Sequence, residues 1–428
     1  MRRPGEGAAP VVRSTAEVEA ALALAGLFGP RSRSVTLMLT TRCNLACRYC
    51  YQGRTRRLAM PEAVADTALD RLFASPAAEY SVGLYGGEPL LEPSLVRRIV
   101  ERVRVEAPAG MTTRVRLFTN GLLLDPEIAA DLALHGVQVA ISLDGTPPGQ
   151  DDRGRGTFRS LDATLRRQRR VHADHFRAHV EVRMTLTSRN VGTLAASVFH
   201  LLRRDVGRIA LSPLATPDTG WREAAARELD RQLGVLTEST DPADAARLAS
   251  AFRPFHAGGA ARDGPPPCGF GSRDSLFVDV DGSIAPCAFL ASSTLCAETP
   301  LVREAALSLP ALNVADAGLD AALAVRERAA RALPFLRPRP ARRSRLGPCA
   351  SCEALPECFV CPASIAFAPE QDPCLVPAIQ CDWNRLVAKH RRAFHARLAS
   401  READLQRAGS SSSAAETSAV TPARIDGA

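Results

Sequence analysis

Lysine is almost missing from this chain: among 54 basic residues in 428, Lys389 is the single one. The net charge of +8 is therefore carried by arginine, and acidic residues are scattered among the arginines. Aromatic residues are scarce too, with four tyrosines and two tryptophans. The alternation of basic and aromatic residues that lines a single-strand nucleic-acid groove is absent, so no nucleic-acid partner is expected. No run approaches the roughly 18 apolar residues a membrane span needs. The basic start at Met1-Arg2-Arg3 lacks the apolar stretch of a secretory signal. A cytoplasmic protein with no membrane partner is expected. Length excludes a small disulfide-stapled scaffold, and an apolar fraction of 46% excludes disorder throughout.

Against these absences stand twelve cysteines. The cytosolic thiol pool keeps cysteines reduced, so metal binding or catalysis is the expected use.

The pattern along the chain predicts an α/β fold: a partial (β/α)6 TIM-like barrel followed by a small cysteine-rich α+β auxiliary cluster domain. Strands are expected at Val35–Thr40, Tyr80–Tyr85, Arg114–Thr119, Val137–Leu143, Val180–Leu186 and Arg208–Leu211. Between them, Glu62–Phe73, Leu95–Val105, Pro126–Leu134, Phe158–Val171 and Thr193–Arg203 carry apolar residues at helical spacing. Six strands are too few for a closed eight-stranded barrel, and active-site residues belong at the strands' C-terminal ends. The expected division is an N-terminal extension with a short helix near Ser14 (1–34), the barrel (35–213), a helical bridge and linker (214–267), the cysteine-rich domain (268–400) and a disordered tail (401–428). In the cysteine-rich part, Asp281-Gly282 between two apolar runs predicts a hairpin. A charged helix is expected from about Asp382 to Asp404.

Cys43, Cys47 and Cys50 lie on one stretch directly after the first expected strand, Thr41-Arg42-Cys43-Asn44-Leu45-Ala46-Cys47-Arg48-Tyr49-Cys50-Tyr51. Three thiolates on one loop can hold three irons of a cubane cluster and leave the fourth open to chemistry. A structural zinc site wants four closed ligands, and no histidine lies nearby. Tyr51 occupies the position where c-type haem attachment needs histidine. Three unconnected cysteines are the plain alternative.

The spacing Cys-x3-Cys-x-Tyr-Cys resembles the radical S-adenosylmethionine (SAM) superfamily. The resemblance implies a catalytic 4Fe-4S cluster whose open iron is chelated by SAM. It also implies an electron donor such as flavodoxin or ferredoxin, and a 5′-deoxyadenosyl radical that abstracts a substrate hydrogen. Gly86-Gly87-Glu88-Pro89 after the second strand matches the segment that holds the SAM amino group in look-alike proteins. Gly86 and Gly87 then offer backbone groups, while Glu88 buttresses the loop or accepts a hydrogen bond. Thr119-Asn120-Gly121 fits the family's turn after strand three and equally an ordinary turn. At the end of strand four the resemblance puts ribose contacts, with Ser142 the preferred hydroxyl partner and Asp144 the weaker one. Arg153 or Arg155 is the candidate partner of the SAM carboxylate, and either is equally readable as a solvated loop arginine.

The other nine cysteines lie after residue 267, and their spacing looks like the SPASM extension, which binds two auxiliary 4Fe-4S clusters in enzymes that modify peptides and proteins. Carried over by position, Cys349, Cys352, Cys358 and Cys381 form one cluster. Cys268, Cys287 and Cys361 form the other, whose fourth position falls to Cys374, Cys296, Asp274 or no residue, with Cys374 slightly preferred. The Cys358-Phe359-Val360-Cys361 step is one residue shorter than the family's. A pair of zinc sites in a binding protein is the reading outside enzymes. The two resemblances together span Val35 to Arg397.

The expected function is a radical SAM oxidoreductase that crosslinks or dehydrogenates a peptide, namely the precursor of a ribosomal natural product. Protein-residue oxidation of the sulfatase-maturing type is the alternative. That subclass places an acidic residue after the cysteine matching Cys287, and this chain has Ala288. A separate leader-peptide recognition protein, or the basic run Arg337–Arg345, would supply substrate recognition.

Overall fold

The computed structural model describes residues 32–52, 57–238, 242–255, 269–293, 309–333, 347–368 and 375–416. The helix expected near Ser14 and the basic run at 337–345 lie outside them. Two compact units divide the chain: Met1–Ala46 with Cys50–Ile141 and Gly264–Arg337, and Cys47–Tyr49 with Ser142–Asp263 and Pro338–Ala428.

In the first unit, β1 (Ser32–Thr40) runs parallel to β2 (Glu79–Gly86), with Val35 opposite Val82. β3 (Thr112–Thr119) adds to β2, and β4 (Gln138–Ser142) to β3, both in parallel. The crossovers are α1 (Glu62–Ala74), α2 (Pro93–Glu106) and α3 (Pro126–Leu134). Proline opens both α2 and α3, where its missing N–H costs nothing, and the Asp125 side chain caps α3 by accepting from Ile128 N (2.8 Å). Leu37, Leu39, Leu69, Leu84, Ile99 and Leu117 are fully buried, and their removal from water is the main force holding the helices to the strands.

β7 (Ser275–Val278) lies parallel to β1 on the side away from β2, with Val35 opposite Leu276, and makes the expected hairpin with β8 (Ile284–Ala285). The hairpin signal is local, whereas pairing of β7 with β1 joins residues some 240 apart, which a reading of neighbours along the chain does not reach. α10 (Leu319–Ala332) completes the described part of this unit.

In the second unit, α4 (Pro147–Gly154), α5 (Phe158–Val171) and α6 (Ala173–His179) lead to β5 (Val180–Leu186), then α7 (Leu194–Arg203) and β6 (Arg208–Pro213), which pairs in parallel with β5. Leu143 N, just past β4, donates to Arg183 O of β5 (3.1 Å). α8 (Glu223–Thr237) and α9 (Pro242–Ala251) follow, then α11 (Pro362–Ala366) and the long α12 (Ala378–Glu416). The Phe255 ring lies 4.9 Å from that of Phe394 of α12, tilted against it, and meets that of Phe252 edge-on at 5.2 Å. α12 continues to Glu416, into the 401–428 stretch expected to be a disordered tail. Extending an existing helix costs far less than nucleating one, so a serine- and alanine-rich segment can follow an established helix.

In the first unit the strands take the order β4-β3-β2-β1-β7-β8 and in the second β6-β5, a mostly parallel, open arrangement that is the partial barrel expected from the sequence. Among the described residues, no helix is long and apolar enough to cross a membrane.

Candidate active site at the cysteine loop

Beyond Thr40 the chain enters the cysteine loop, and two glycines set how near β2 it lies. Gly87 N donates to Thr40 O (2.8 Å) and Glu88 N to Arg42 O (2.8 Å). A Cβ on Gly87 would stand 2.3 Å from Arg42 O, and one on Gly86 2.5 Å from Thr40 O, so the approach requires glycine at both positions.

Glu88 is fully buried. Its carboxylate accepts from Leu90 N (3.0 Å), Thr119 Oγ1 (2.8 Å) and Asn120 N (2.7 Å), tying the turn after β2 to the end of β3. Burial pushes its ionisation up, and the three donors only partly offset this. Asn120 extends the network: its Nδ2 donates to Asn44 Oδ1 (2.7 Å) and stands 3.9 Å from Cys43 Sγ, which also accepts from Leu45 N (3.3 Å). As a free thiol Cys43 has a raised pKa. Crowding by protein is the largest cause, and Glu88 and Cys50 add to it, while the Leu45 and Asn120 donors oppose it. Next to Cys50, the hydroxyl of Tyr51 meets that of Tyr85 at 2.8 Å, and its ring lies 4.2 Å from Phe289.

Tyr49, between Cys47 and Cys50, donates its hydroxyl to Asp144 Oδ2. Asp144 is 1% exposed. Its Oδ1 accepts from Arg153 Nη2 (2.9 Å) and Thr185 N (2.8 Å), and its Oδ2 from Arg153 Nε (3.3 Å). The Arg153 guanidinium stands 5.4 Å from the centre of the Tyr49 ring. Burial alone would lower the pKa of Arg153, but the Asp144 carboxylate outweighs it and the net direction is up. Burial, then Asp144, hold the Tyr49 phenol firmly protonated. Arg155, two residues on, is exposed and 3.9 Å from Asp151. The sequence leaves these two arginines equivalent. The structure separates them because α4 occupies a stretch expected to be loop and turns Arg153 inward.

Asp152 of α4 binds the loop a second time. Its carbonyl accepts from Arg48 N (2.7 Å), and its carboxylate takes Arg48 Nε (3.3 Å) and Arg189 Nε (2.9 Å to each oxygen). Arg189 went unrecognised in the sequence. It lies three residues past β5, so the rule that barrel chemistry sits after the strand ends was the available signal. Ser142 is half-buried at the end of β4, and its hydroxyl makes no hydrogen bond among the described residues.

Cys268, Cys296 and Cys374 lie outside the described residues. Asp274 pairs with Arg33 at 3.6 Å. In the first unit, Cys287 opens a short turn, and Ala288 packs with Tyr85 against Met38, Phe277 and Val280. In the second, Cys349 and Cys352 lie on one turn, with Cys352 N donating to Cys349 O (3.2 Å). Asn384, one helical turn after Cys381, donates to Phe359 O (2.8 Å) and accepts from Phe359 N (3.1 Å). That clamp brings the Cys358–Cys361 segment to the start of α12; its asparagine carries no sequence signal.

Among the described residues, no three His, Cys, Asp or Glu side chains stand close enough as placed to hold a metal ion. The donor chemistry fits iron-sulfur ligation all the same. The donors are soft thiols, and Cys43 Sγ already faces two N–H donors of the kind that tune such clusters. The cavity lined by Arg166, Arg169, Arg170 and Arg177 contains none of the candidate site residues.

Residues 37–186 match the model of the radical SAM superfamily. The chain is 39% identical over 110 residues to a GTP 3′,8-cyclase of Synechococcus sp. (strain CC9902), covering 26% of this chain and 31% of that one. It is 31% identical over 163 residues to the mycofactocin maturase MftC of Mycobacterium tuberculosis (37% and 39%), and 35% identical over 127 residues to the serine-type anaerobic sulfatase-maturating enzyme of Klebsiella aerogenes (27% and 31%). It thus spans about a third of the length of these relatives. The structure superposes on native anSMEcpe with bound AdoMet and Cp18Cys peptide at a TM-score of 0.63, with 16% identity, over 85% of this chain and 98% of that one. It superposes on Streptococcus suis SuiB bound to precursor peptide SuiA at 0.54, with 12% identity, over 89% and 84%. At such identities the likeness is one of fold. The likeness to the radical SAM superfamily is thus carried by residues 37–186, the segment that holds the cysteine loop at the end of β1.

Proposed function

We propose that this chain reductively cleaves SAM and uses the resulting radical to modify a peptide, with crosslinking or dehydrogenation as the outcome. The observation that carries the proposal is the anchoring of the cysteine loop. Asn120 and Leu45 meet Cys43, and Asp144 and Asp152 hold Tyr49 and Arg48, the two residues between Cys47 and Cys50. A loop tied down at so many points is suited to presenting Cys43, Cys47 and Cys50 as ligands of a 4Fe-4S cluster. When bound, that cluster and SAM would supply an electron and a 5′-deoxyadenosyl radical.

The rest of the work falls to the chain's own groups. Gly86 and Gly87 keep the turn after β2 against the loop, and Ser142 offers a hydroxyl at the end of β4. Arg153 is committed to Asp144, which suits it to holding the Tyr49 ring rather than an incoming carboxylate. Arg189, with more than half of its side chain exposed, is the better candidate for a charge-assisted contact to the SAM carboxylate. The second set of cysteines fits two auxiliary clusters of the SPASM type, with Cys349, Cys352, Cys358 and Cys381 holding one.

A peptide substrate is supported by the peptide-bound structures of similar fold and by the maturases among the relatives. The barrel alone does not select it, because a GTP cyclase matches the same region. Short open reading frames beside the gene supply candidate peptides. Co-expression with the true substrate should yield a peptide that has lost two hydrogens, and the product should vanish when Cys43 is replaced by alanine. A product bearing formylglycine instead would favour the sulfatase-maturing alternative, and turnover of a nucleotide but no peptide would overturn the reading.

A further inference from the structure

Arg326 of α10 is 3% exposed. Its one hydrogen bond among the described residues runs from Nη1 to the carbonyl of Ile284 in β8. Neighbouring Glu327 is engaged by Arg273 (3.9 Å) and Arg331 (3.2 Å), and among the described residues no carboxylate pairs with Arg326. A buried guanidinium without a counter-charge is costly, because burial strips the hydration of an ion that cannot give up its proton. The carbonyl it holds lies three residues before Cys287, so the guanidinium is fixed to the segment that carries that sulfur. A neutral thiol would leave the cation unbalanced. A thiolate bound to iron, part of a cluster with net negative charge, would balance it.

We propose that Arg326 is a fixed counter-cation for an iron-sulfur cluster ligated by Cys287, raising that cluster's reduction potential and fixing the approach of the Cys287 segment through the Ile284 carbonyl. This rests on the reading of Cys287 as a cluster ligand. One electron entering the oxidised cluster adds one negative charge with no bond made or broken. A nearby fixed cation therefore stabilises the reduced form more than the oxidised one. Arg326 is a positioning residue here, acting through Cys287 and touching neither substrate nor SAM.

The experiment uses the full chain, loaded anaerobically with iron and sulfide, in a background where Cys43, Cys47 and Cys50 are alanine so that only C-terminal clusters report. Dithionite titration followed by electron paramagnetic resonance gives their midpoint potentials. Arg326→Gln and Arg326→Met should shift one cluster to a more negative potential, while Arg326→Lys, which keeps the charge, should stay near the parent. If the Met variant does not fold, the Gln variant, neutral but with polar N–H groups of its own, carries the comparison. Parental potentials in Gln and Met overturn the role of Arg326 alone. A parent chain without C-terminal iron, or one whose iron is undiminished by Cys287→Ala, overturns the ligand assignment and the proposal with it.

Discussion

The carboxylate of Asp144 accepts a hydrogen bond from the hydroxyl of Tyr49, linking the segment just past β4 to one of the two residues between Cys47 and Cys50. Arg153 completes the trio from α4. All three are partnered by one another inside the protein, and disturbing one exposes the cost of burying the others.

Asp144→Ala should therefore destabilise the chain by about 3–5 kcal/mol, since it strands a buried cation. Tyr49→Phe removes only a hydrogen bond to a charged group and should cost about 1.5–3 kcal/mol. Asp144→Ala with Arg153→Met should cost clearly less than the sum of the single changes, because the stranded charge leaves with its partner. Denaturant unfolding of wild type, the three single variants and the double variant checks this, and strict additivity would contradict it.

Glu88 gives a pH signature. Its folded-state pKa lies above its ordinary value of 4.5. The folded chain thus binds the proton more tightly than the unfolded chain, and this contribution to stability is largest below 4.5 and is lost as pH rises through the folded-state pKa. Glu88→Gln cannot titrate. The stability of wild type relative to this variant should improve as pH falls from 7 toward 4.5, and a difference that is flat or of the opposite slope would count against the burial argument.

Gly87→Ala places a methyl group 2.3 Å from Arg42 O, where backbone must yield. The chain should still fold, since the β2 core residues are untouched, but the cysteine loop should be displaced. SAM cleavage should fall by about a hundredfold, on the general scale of an ångström-level misplacement near a reacting centre, with iron at the C-terminal cysteines unchanged. Full activity in this variant would show that the loop's position against β2 is not needed.

Ala288 bears on substrate class. It packs beside Tyr85 among apolar side chains and has no group to take a proton where sulfatase-maturing enzymes place a carboxylate. Wild-type protein incubated with a sulfatase peptide should give no formylglycine, as read by mass spectrometry. Its appearance would require another base and would reopen that assignment.

Much of this arrangement was legible in the sequence. The strands β1 to β6 and five crossover helices fall within a few residues of where apolar periodicity puts them, because strand and helix periods differ sharply and proline and asparagine mark several ends. The cysteine spacing located the loop. Legibility failed where position depends on contacts distant in the chain. The stretch around Arg153 and Arg155 is readable as a solvated loop, yet Pro147–Gly154 forms α4, and only that helix distinguishes buried Arg153 from exposed Arg155. α10 was not anticipated, and Arg326 within it looks like any surface arginine in a chain so rich in them. Asn120 fits the family's turn and an ordinary one equally, and Asn384 is one residue of an expected helix; their contacts with the cysteine-bearing segments come from the structure.

The most direct measurement is the yield of 5′-deoxyadenosine from SAM, under reducing anaerobic conditions, by iron-loaded wild type and by the chain with Cys43, Cys47 and Cys50 all changed to alanine. Wild type should release it, and the triple variant should release none while keeping iron at its C-terminal cysteines. Undiminished release by the triple variant, or none by an iron-replete wild type, would contradict the assignment of the catalytic cluster to this loop.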